Sequence, residues 1–203
     1  GFNIIKLHEI EDDYIEAARK FIGDKISLMT DANCQWSYNE ALSKKDFFKK
    51  INLLWIEEPI FPPEDFRSLA LLRKNLDTPI ALGENACTEW EFRKILESGA
   101  ADFVQPSVIK VGGISEMMKV IKLSEKYSTP LVPHSAYFGP GFLASLHIAS
   151  QTSLETYIER YYLDLVEDFY PEFTSVKNGT YKLPNGPGLG LHFDEKKINK
   201  FIV

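Results

Sequence analysis

Short apolar runs recur along the chain at nearly constant intervals, and each run is followed by a polar residue. The polar residues lie 23 to 27 residues apart, which is about the length of one strand, one helix and two short loops. Such runs are typical of buried parallel strands. The predicted strands are residues 2–7, 26–30, 53–56, 79–83, 102–106, 130–133 and 156–158. The polar residues that follow them are His8, Asp31, Glu57, Glu84, Ser107, His134 and Glu159.

Between these runs the apolar residues recur at helical spacing, and signals for helix starts and stops flank them. Residues 11–21 form the first predicted helix, with Gly23 as its stop. Ser37–Glu40 and Thr88–Glu91 match the capping box, in which two side chains satisfy free backbone amides at a helix start. The other predicted helices lie at about 37–50, 64–75, 88–99, 113–127 and 141–150.

The alternation of strand and helix predicts an α/β fold with a parallel barrel of the TIM type. In such a barrel the carboxyl ends of the strands converge on one face, which carries the active site. A closed barrel needs eight strands, and the chain supplies seven. We therefore expect the missing strand to lie before residue 1 or to come from another chain. Residues 160–203 contain turn signals such as Lys177–Gly179, and we expect an irregular tail with one hairpin.

Three acidic residues, Asp31, Glu57 and Glu84, end three successive predicted strands. Packing alone does not explain a carboxylate at the same place in three successive units. Carboxylates that converge on one face repel each other unless a cation lies between them. Ligands that offer only oxygen suit a hard ion such as Mg2+. The sequence therefore predicts a metal site at these three residues.

Composition and charge narrow the class of protein. The chain has 203 residues with 44% hydrophobic and 26% charged residues, which is ordinary for a globular domain with one core. A net charge of −6 without a basic cluster argues against nucleic acid as the main partner. The apolar runs are too short to span a bilayer. Cys34 and Cys87 lack metal-site spacing and are interpreted as reduced thiols of a cytoplasmic protein.

The motifs at the strand ends resemble those of the enolase superfamily, in particular the mandelate racemase/muconate lactonizing enzyme family and its mandelate racemase subgroup. The resemblance covers nearly the whole chain. The motifs occur in this order: Lys6–His8, Asp31–Asn33, Trp55–Pro59, Gly83–Asn85, Gln105–Ser107 with Lys110–Gly113, Pro133–His134, Tyr157–Arg160 and Pro187–Gly190.

The resemblance implies a domain organisation. Members of the family have an N-terminal α+β capping domain followed by a (β/α)7β barrel. By this resemblance, residues 1–159 carry barrel strands two to eight with their helices. Residues 160–203 resemble the segment that returns to the capping domain, and the capping domain and the first barrel strand are expected before residue 1.

The resemblance also implies the chemistry, which is removal of the proton alpha to a carboxylate. The resulting enediolate carries negative charge on oxygen, which a bound Mg2+ stabilises. The family resemblance assigns the metal ligands to Asp31, Glu57 and Glu84, the three residues already identified from the pattern of strands.

The expected bases come from two different parts of the barrel. Lys6 and His8 are two residues apart on one strand, so their side chains share a face. The family usually has Lys-x-Lys there, and His8 takes the place of the usual catalytic lysine. His134 matches the family's histidine base. Ser107 stands where the family usually has an Asp that orients this histidine, so we expect its hydroxyl to hold one ring nitrogen of His134.

The remaining expected site residues contact the substrate. Glu159 matches a glutamate that hydrogen-bonds the substrate carboxylate. Asn33 and Asn85 lie beside metal ligands and are expected to touch the substrate. Lys110 is expected to reach the surroundings of Glu84.

Three functions remain open from the sequence. The favoured one is a Mg2+-dependent lyase that dehydrates a sugar acid. The second is an isomerase, either a racemase/epimerase or a cycloisomerase, because bases on opposite faces also permit transfer of one proton across a carbon. The third is a fragment or degenerate homologue without turnover. We expect a small carboxylate substrate, no nucleic acid or membrane partner, and a homo-oligomer in the full-length form.

Overall fold

The computed structural model describes residues 1–163, 165–167, 176–191 and 194–202. Within this part of the chain, five strands form one parallel sheet in the order β1-β2-β3-β4-β5. The strands are β1 (Ile4–His8), β2 (Ser27–Asp31), β3 (Leu53–Glu57), β4 (Ile80–Leu82) and β5 (Phe103–Val104). Consecutive strands are therefore neighbours in space, as in a parallel barrel.

Helices follow the strands in the predicted alternation. Their bounds are α1 (Asp12–Ile22), α2 (Tyr38–Ser43), α3 (Lys45–Ile51), α4 (Phe66–Asn75), α5 (Glu89–Ser98), α6 (Ile114–Lys126), α7 (Pro140–Ala149) and α8 (Glu195–Ile198), with a 3-10 helix at Asn199–Phe201. The predicted single helix over 37–50 is wrong, because the chain breaks at Lys44 into α2 and α3. No helix among the described residues combines the length and apolar character needed to cross a membrane.

Local signals in the sequence explain where several helices begin and end. Ser37 and Glu40 form the predicted capping box at the start of α2. The Thr88 side chain accepts a hydrogen bond from the backbone N–H of Glu91 at the start of α5. Gly99 ends α5 in the left-handed conformation, which glycine adopts without the steric cost of a Cβ atom.

Two apolar clusters lie on opposite faces of the sheet. The larger cluster lies between the sheet and the helices and includes Ile15, Phe48, Leu69, Phe92 and Met117, all fully buried. The smaller cluster contains Met29, Trp55, Ala81 and Val132, and Ile4 of β1 and Phe103 of β5 pack against it. Residues from both ends of the described sheet therefore meet in one interior, which is the arrangement of a barrel core.

The last two predicted strands are not regular strands. Residues 130–133 run parallel to β5, and Leu131 forms an isolated bridge with Val104. Residues 156–158 are not a strand either, and the Thr156 hydroxyl donates instead to the carbonyl of Leu131 at 2.7 Å. Side-chain hydrogen bonds thus replace part of the backbone ladder on this side.

The tail after residue 159 contains little regular structure in its described part. An antiparallel bridge joins Lys177 and Thr180 around the predicted turn. Residues 164, 168–175, 192–193 and 203, which belong to the predicted tail, lie outside the described residues.

Candidate active site and metal centre

Strand pairing brings Asp31 and Glu57 side by side at the carboxyl end of the sheet. The two residues are partners in the β2–β3 register, and Asp31 is also the partner of His8 in the β1–β2 register. Glu84 follows β4 by two residues. One carboxylate oxygen from each acid lies within 4.8 Å of the others. The structure therefore brings the three predicted metal ligands together.

Glu57 is the most enclosed of the three acids, with no solvent exposure. Lys6 Nζ donates to its Oε1 atom at 2.8 Å. Gln105 Nε2 and Trp55 Nε1 donate to its Oε2 atom at 2.8 and 3.3 Å. Burial opposes ionisation, but Lys6 and these hydrogen bonds outweigh it and hold the pKa of Glu57 below its ordinary value.

Asp31 has the opposite electrostatic balance. Its Oδ1 atom accepts a hydrogen bond from the backbone N–H of Asn33 at 2.9 Å. Burial, followed by the charge of Glu57, raises the pKa of Asp31 to about 8. The cationic side chains of the protein therefore do not fully balance the negative charge of Asp31 and Glu57. A divalent cation between the carboxylates supplies the missing charge, and an all-oxygen donor set suits a hard ion. The residues present fit Mg2+.

The ammonium group of Lys6 lies among these acids. Its Nζ atom lies 3.8 Å from Asp31 Oδ2, donates a hydrogen bond to Glu57 Oε1 and forms an ion pair with Glu159 Oε1. Burial alone lowers the pKa of a lysine, but the surrounding carboxylates reverse this and raise the pKa of Lys6. Lys6 is therefore a fixed cation in this arrangement.

Two histidines lie on either side of the metal-ligand set. His8 Nε2 is 2.8 Å from Asp31 Oδ2, and the His8 side chain is 61% exposed. His134 Nδ1 is 3.1 Å from Glu84 Oε2, and the His134 side chain is 17% exposed. The first histidine therefore contacts one end of the acidic set, and the second contacts the other end.

Glu159 is anchored next to His134. Its Oε2 atom accepts a hydrogen bond from the backbone N–H of Ser135 at 2.8 Å and lies 3.8 Å from His134 Nδ1. The backbone N–H of Glu159 donates to the Ser135 hydroxyl at 3.2 Å. Its predicted position in the site therefore agrees with the geometry, although the predicted contact with substrate stays a prediction.

The expected hydrogen bond between Ser107 and His134 is replaced by another pairing. The fully buried Ser107 hydroxyl lies 3.4 Å from the hydroxyl of Tyr137. The nearest charged partner of His134 Nδ1 is instead Glu84. Ser107 therefore does not hold the histidine ring directly in this structure, and other residues set its orientation.

The three predicted substrate-binding residues lie at the rim of the site. The backbone N–H of Asn33 donates a hydrogen bond to Asp31 Oδ1. The Asn85 side-chain amide lies 3.7 Å from Cys34 Sγ. Lys110 Nζ donates to the backbone carbonyl of Glu84 at 2.8 Å. Lys110 therefore reaches the predicted place beside Glu84, and substrate contact by all three residues stays a prediction.

The sequence pattern assigned no role to two of the residues that support the site. Trp55 and Gln105 complete the surroundings of Glu57. Glu58, for which the sequence indicated a supporting role beside Glu57, is also buried, and its Oε1 atom accepts a hydrogen bond from the backbone N–H of Gly83 at 2.9 Å. Trp55 was recognisable in principle, because it precedes Glu57 by two residues and so shares its face of the strand.

The family comparison decides the relationship of this chain to known proteins. Residues 1–197 match the family model described as enolase C-terminal domain-like. The chain belongs to the enolase superfamily. The barrel expected from the sequence is confirmed by the parallel α/β sheet together with this membership.

Relatives of this enolase-superfamily chain include sugar-acid enzymes. Arabinonate dehydratase of Saccharolobus solfataricus is 34% identical over 200 residues, which cover 94% of this chain and 52% of that protein. The L-talarate/galactarate dehydratase of Salmonella typhimurium is 33% identical, with 90% of this chain and 44% of that protein covered. The chain thus spans about half the length of these relatives.

A solved structure shows the same likeness. The L-talarate dehydratase from Polaromonas sp. JS666, crystallised with Mg and L-glucarate, has a TM-score of 0.81 and 31% identity. The match covers 97% of this chain and 52% of that chain.

Proposed function

We propose that the protein carrying this enolase-superfamily chain is a Mg2+-dependent lyase that dehydrates a sugar acid by removing the proton alpha to its carboxylate. The observation that carries the proposal is the convergence of three carboxylates within 4.8 Å, with His8 at one end and His134 at the other. The dehydratase relatives support a sugar acid as the class of substrate.

The metal ligands in this proposal are Asp31, Glu57 and Glu84. When bound, Mg2+ acts as a Lewis acid toward the substrate carboxylate and lowers the energy of the negative charge that develops on its oxygens. Asp31 and Glu57 are buried and held by hydrogen bonds, so these two ligands are already arranged before the ion binds.

The basic residues have different roles in proton transfer and substrate binding. Lys6 Nζ lies against Asp31, Glu57 and Glu159, so its role in this proposal is to attract the substrate carboxylate. His8 and His134 lie at opposite ends of the acidic set. One imidazole removes the alpha proton, and the other delivers a proton to the leaving hydroxyl. Glu159, beside His134, hydrogen-bonds the substrate carboxylate.

An isomerase is the second candidate, and the same pair of histidines favours it. A proton removed by one imidazole and returned by the other inverts the alpha carbon. Relatives also include a 3,6-anhydro-alpha-L-galactonate cycloisomerase of Streptomyces coelicolor, 27% identical over 209 residues. That match covers 56% of the relative.

The test is a panel of sugar acids incubated with the purified protein and Mg2+ in D2O, read by proton NMR and mass spectrometry. Dehydration predicts deuterium in the product and loss of one water. Isomerisation predicts deuterium with unchanged composition apart from the isotope. A protein that neither releases water nor introduces deuterium with any acid of the panel contradicts both functions.

A histidine variant sharpens this test. His134→Asn removes the imidazole and keeps a polar side chain of similar shape near Glu84. We expect turnover to fall by about 100- to 10,000-fold, the usual contribution of general acid–base catalysis, while Mg2+ still binds. Unchanged turnover would remove His134 from the mechanism.

A further inference from the structure

The ring of Tyr137 packs against the imidazole of His134. The two ring centroids are 6.2 Å apart with an interplanar angle of 63°, so one ring presents its edge to the other. Such edge contacts between aromatic rings are favourable and depend on geometry. Tyr137 therefore forms a wall on one side of the predicted base.

Two buried serines anchor this wall. The Tyr137 hydroxyl lies 3.4 Å from the hydroxyl of Ser107 and 3.3 Å from that of Ser145. Both serines have no solvent exposure, and Ser145 donates in turn to the carbonyl of Gly141 at 3.0 Å. The far end of the tyrosine ring is thus fixed to the end of β5 and to α7.

The ring is also enclosed along its side. A Cβ atom at Gly141 would lie 3.1 Å from Tyr137 Cε2, so the ring packs closely on the backbone of α7. The backbone N–H of Tyr137 donates to the carbonyl of Ser135 at 2.7 Å. Ser135, which follows His134 directly, is tied to Glu159 by two hydrogen bonds. The segment that carries the imidazole is therefore held at several points.

We propose that Tyr137, anchored by Ser107 and Ser145, is a positioning residue that holds the imidazole of His134 toward Glu84. The inference rests on the proposed function for its catalytic consequence, but the contacts that carry it are independent of that function. Ser107 acts on the histidine through the tyrosine and not through a direct hydrogen bond. An anchored aromatic edge thus orients the ring without adding a further negative charge to those of Glu84 and Glu159.

The orientation is measured without activity, on metal-free protein labelled with 15N-histidine. The His134 ring signals are assigned by their loss in His134→Asn. Tyr137→Leu removes the wall, and we expect the ring nitrogen shifts of His134 to move toward the average of its two tautomers, with changed line widths. Ser107→Ala should give a smaller change in the same direction. Unchanged His134 signals in both variants would overturn the proposal.

Kinetics supply the second measurement. Tyr127→Phe is the control, because Tyr127 lies at the end of α6 and its hydroxyl donates to Glu97, an exposed side chain. We expect kcat to fall about 100-fold in Tyr137→Leu, the usual cost of misplacing a reacting group. Tyr137→Phe keeps the ring and loses only its anchor, so about a fivefold fall is expected. KM and Mg2+ affinity should change little.

The outcomes separate the two claims. An equal fall in kcat for Tyr127→Phe would indicate general loosening and would overturn the proposal. If Tyr137→Leu does not fold, Tyr137→Phe and Ser107→Ala decide it by the same two readouts. If the unmodified protein neither releases water from any acid of the panel nor introduces deuterium, the proposed function fails, while the nitrogen shifts still show whether Tyr137 orients His134.

Discussion

Arg19 connects three backbone segments below the site, and its removal should destabilise the fold. The residue lies in α1 and is 8% exposed. Its guanidinium donates to the carbonyls of Ile51, Gly23, Ile26 and Asn52 at 2.9, 2.9, 2.7 and 3.2 Å. These carbonyls lie just before β2 and β3 or at the end of α1. Arg19 therefore fixes where the two strands of the metal-ligand set begin.

The cost of Arg19→Met follows from these four hydrogen bonds. The bond to Ile51 is fully buried, and its loss leaves a carbonyl without a partner, at a cost of about 2 kcal/mol. The other three bonds are partly buried, so water replaces part of each at about 0.5–1 kcal/mol per bond. The expected loss is about 4 kcal/mol, which is a large fraction of the stability of a typical domain.

The measurement is urea unfolding of both proteins, followed by circular dichroism. We expect a lower midpoint with an unchanged slope, because the area exposed on unfolding stays the same. Arg93→Met is the matched control. Its ion pair with Glu89 is partly exposed, so a loss of about 0.5 kcal/mol is expected. A loss below about 1 kcal/mol for Arg19→Met would refute the reasoning from buried carbonyls.

Two further predictions concern packing. Gly83→Ala should destabilise the protein, because a Cβ atom at Gly83 would lie 2.8 Å from Cε1 of Phe92. Gly113 also has a positive φ, but a Cβ atom there would meet open space, so Gly113→Ala should lower the thermal unfolding temperature less. Equal losses in the two variants would contradict the role of packing. Burial raises the pKa of Tyr181 to about 12, and its hydroxyl has no hydrogen-bond partner among the described residues. Between pH 10 and 12 the folded chain keeps a proton that the unfolded chain loses, so stability falls as pH rises, and Tyr181→Phe should remove this part of the pH dependence in urea titrations.

The sequence predicts the strand ends well because two constraints coincide there. A parallel strand buried on both faces needs a continuous apolar run, and a polar residue can follow only where the strand reaches the mouth. The runs before Asp31 and Glu57 therefore fix both the strand and the position of the carboxylate. The register then pairs these two residues directly.

The sequence predicts helix breaks and irregular segments less well, because the contacts that determine them do not follow a regular hydrophobic pattern. The break between α2 and α3 at Lys44 has no glycine or proline to mark it. Residues 156–158 were predicted as a strand, but two side-chain hydrogen bonds replace a regular ladder there: the Thr156 hydroxyl donates to the Leu131 carbonyl, and the Ser135 hydroxyl accepts from the backbone N–H of Glu159. Such side-chain replacements depend on three-dimensional neighbours that no local pattern specifies.

The orientation of His134 was beyond prediction for a similar reason. The strand pattern predicted His134 and Ser107 at the ends of neighbouring strands. The two segments do lie side by side in the structure. The partner of Ser107 is Tyr137, which lies in the segment between His134 and α7. Hydrophobic periodicity carries no information about how such an irregular segment folds.

The central claim is that Asp31, Glu57 and Glu84 together bind one divalent cation. Isothermal titration of the purified protein with Mg2+ tests it most directly, with Asp31→Asn, Glu57→Gln and Glu84→Gln beside the control Glu97→Gln, which changes an exposed acid on α5. We expect one Mg2+ per chain, weakened at least about 100-fold in each of the three variants, because even residues that only support a ligand contribute 10- to 100-fold. The control should bind normally. Unweakened Mg2+ binding in the three variants would contradict the account.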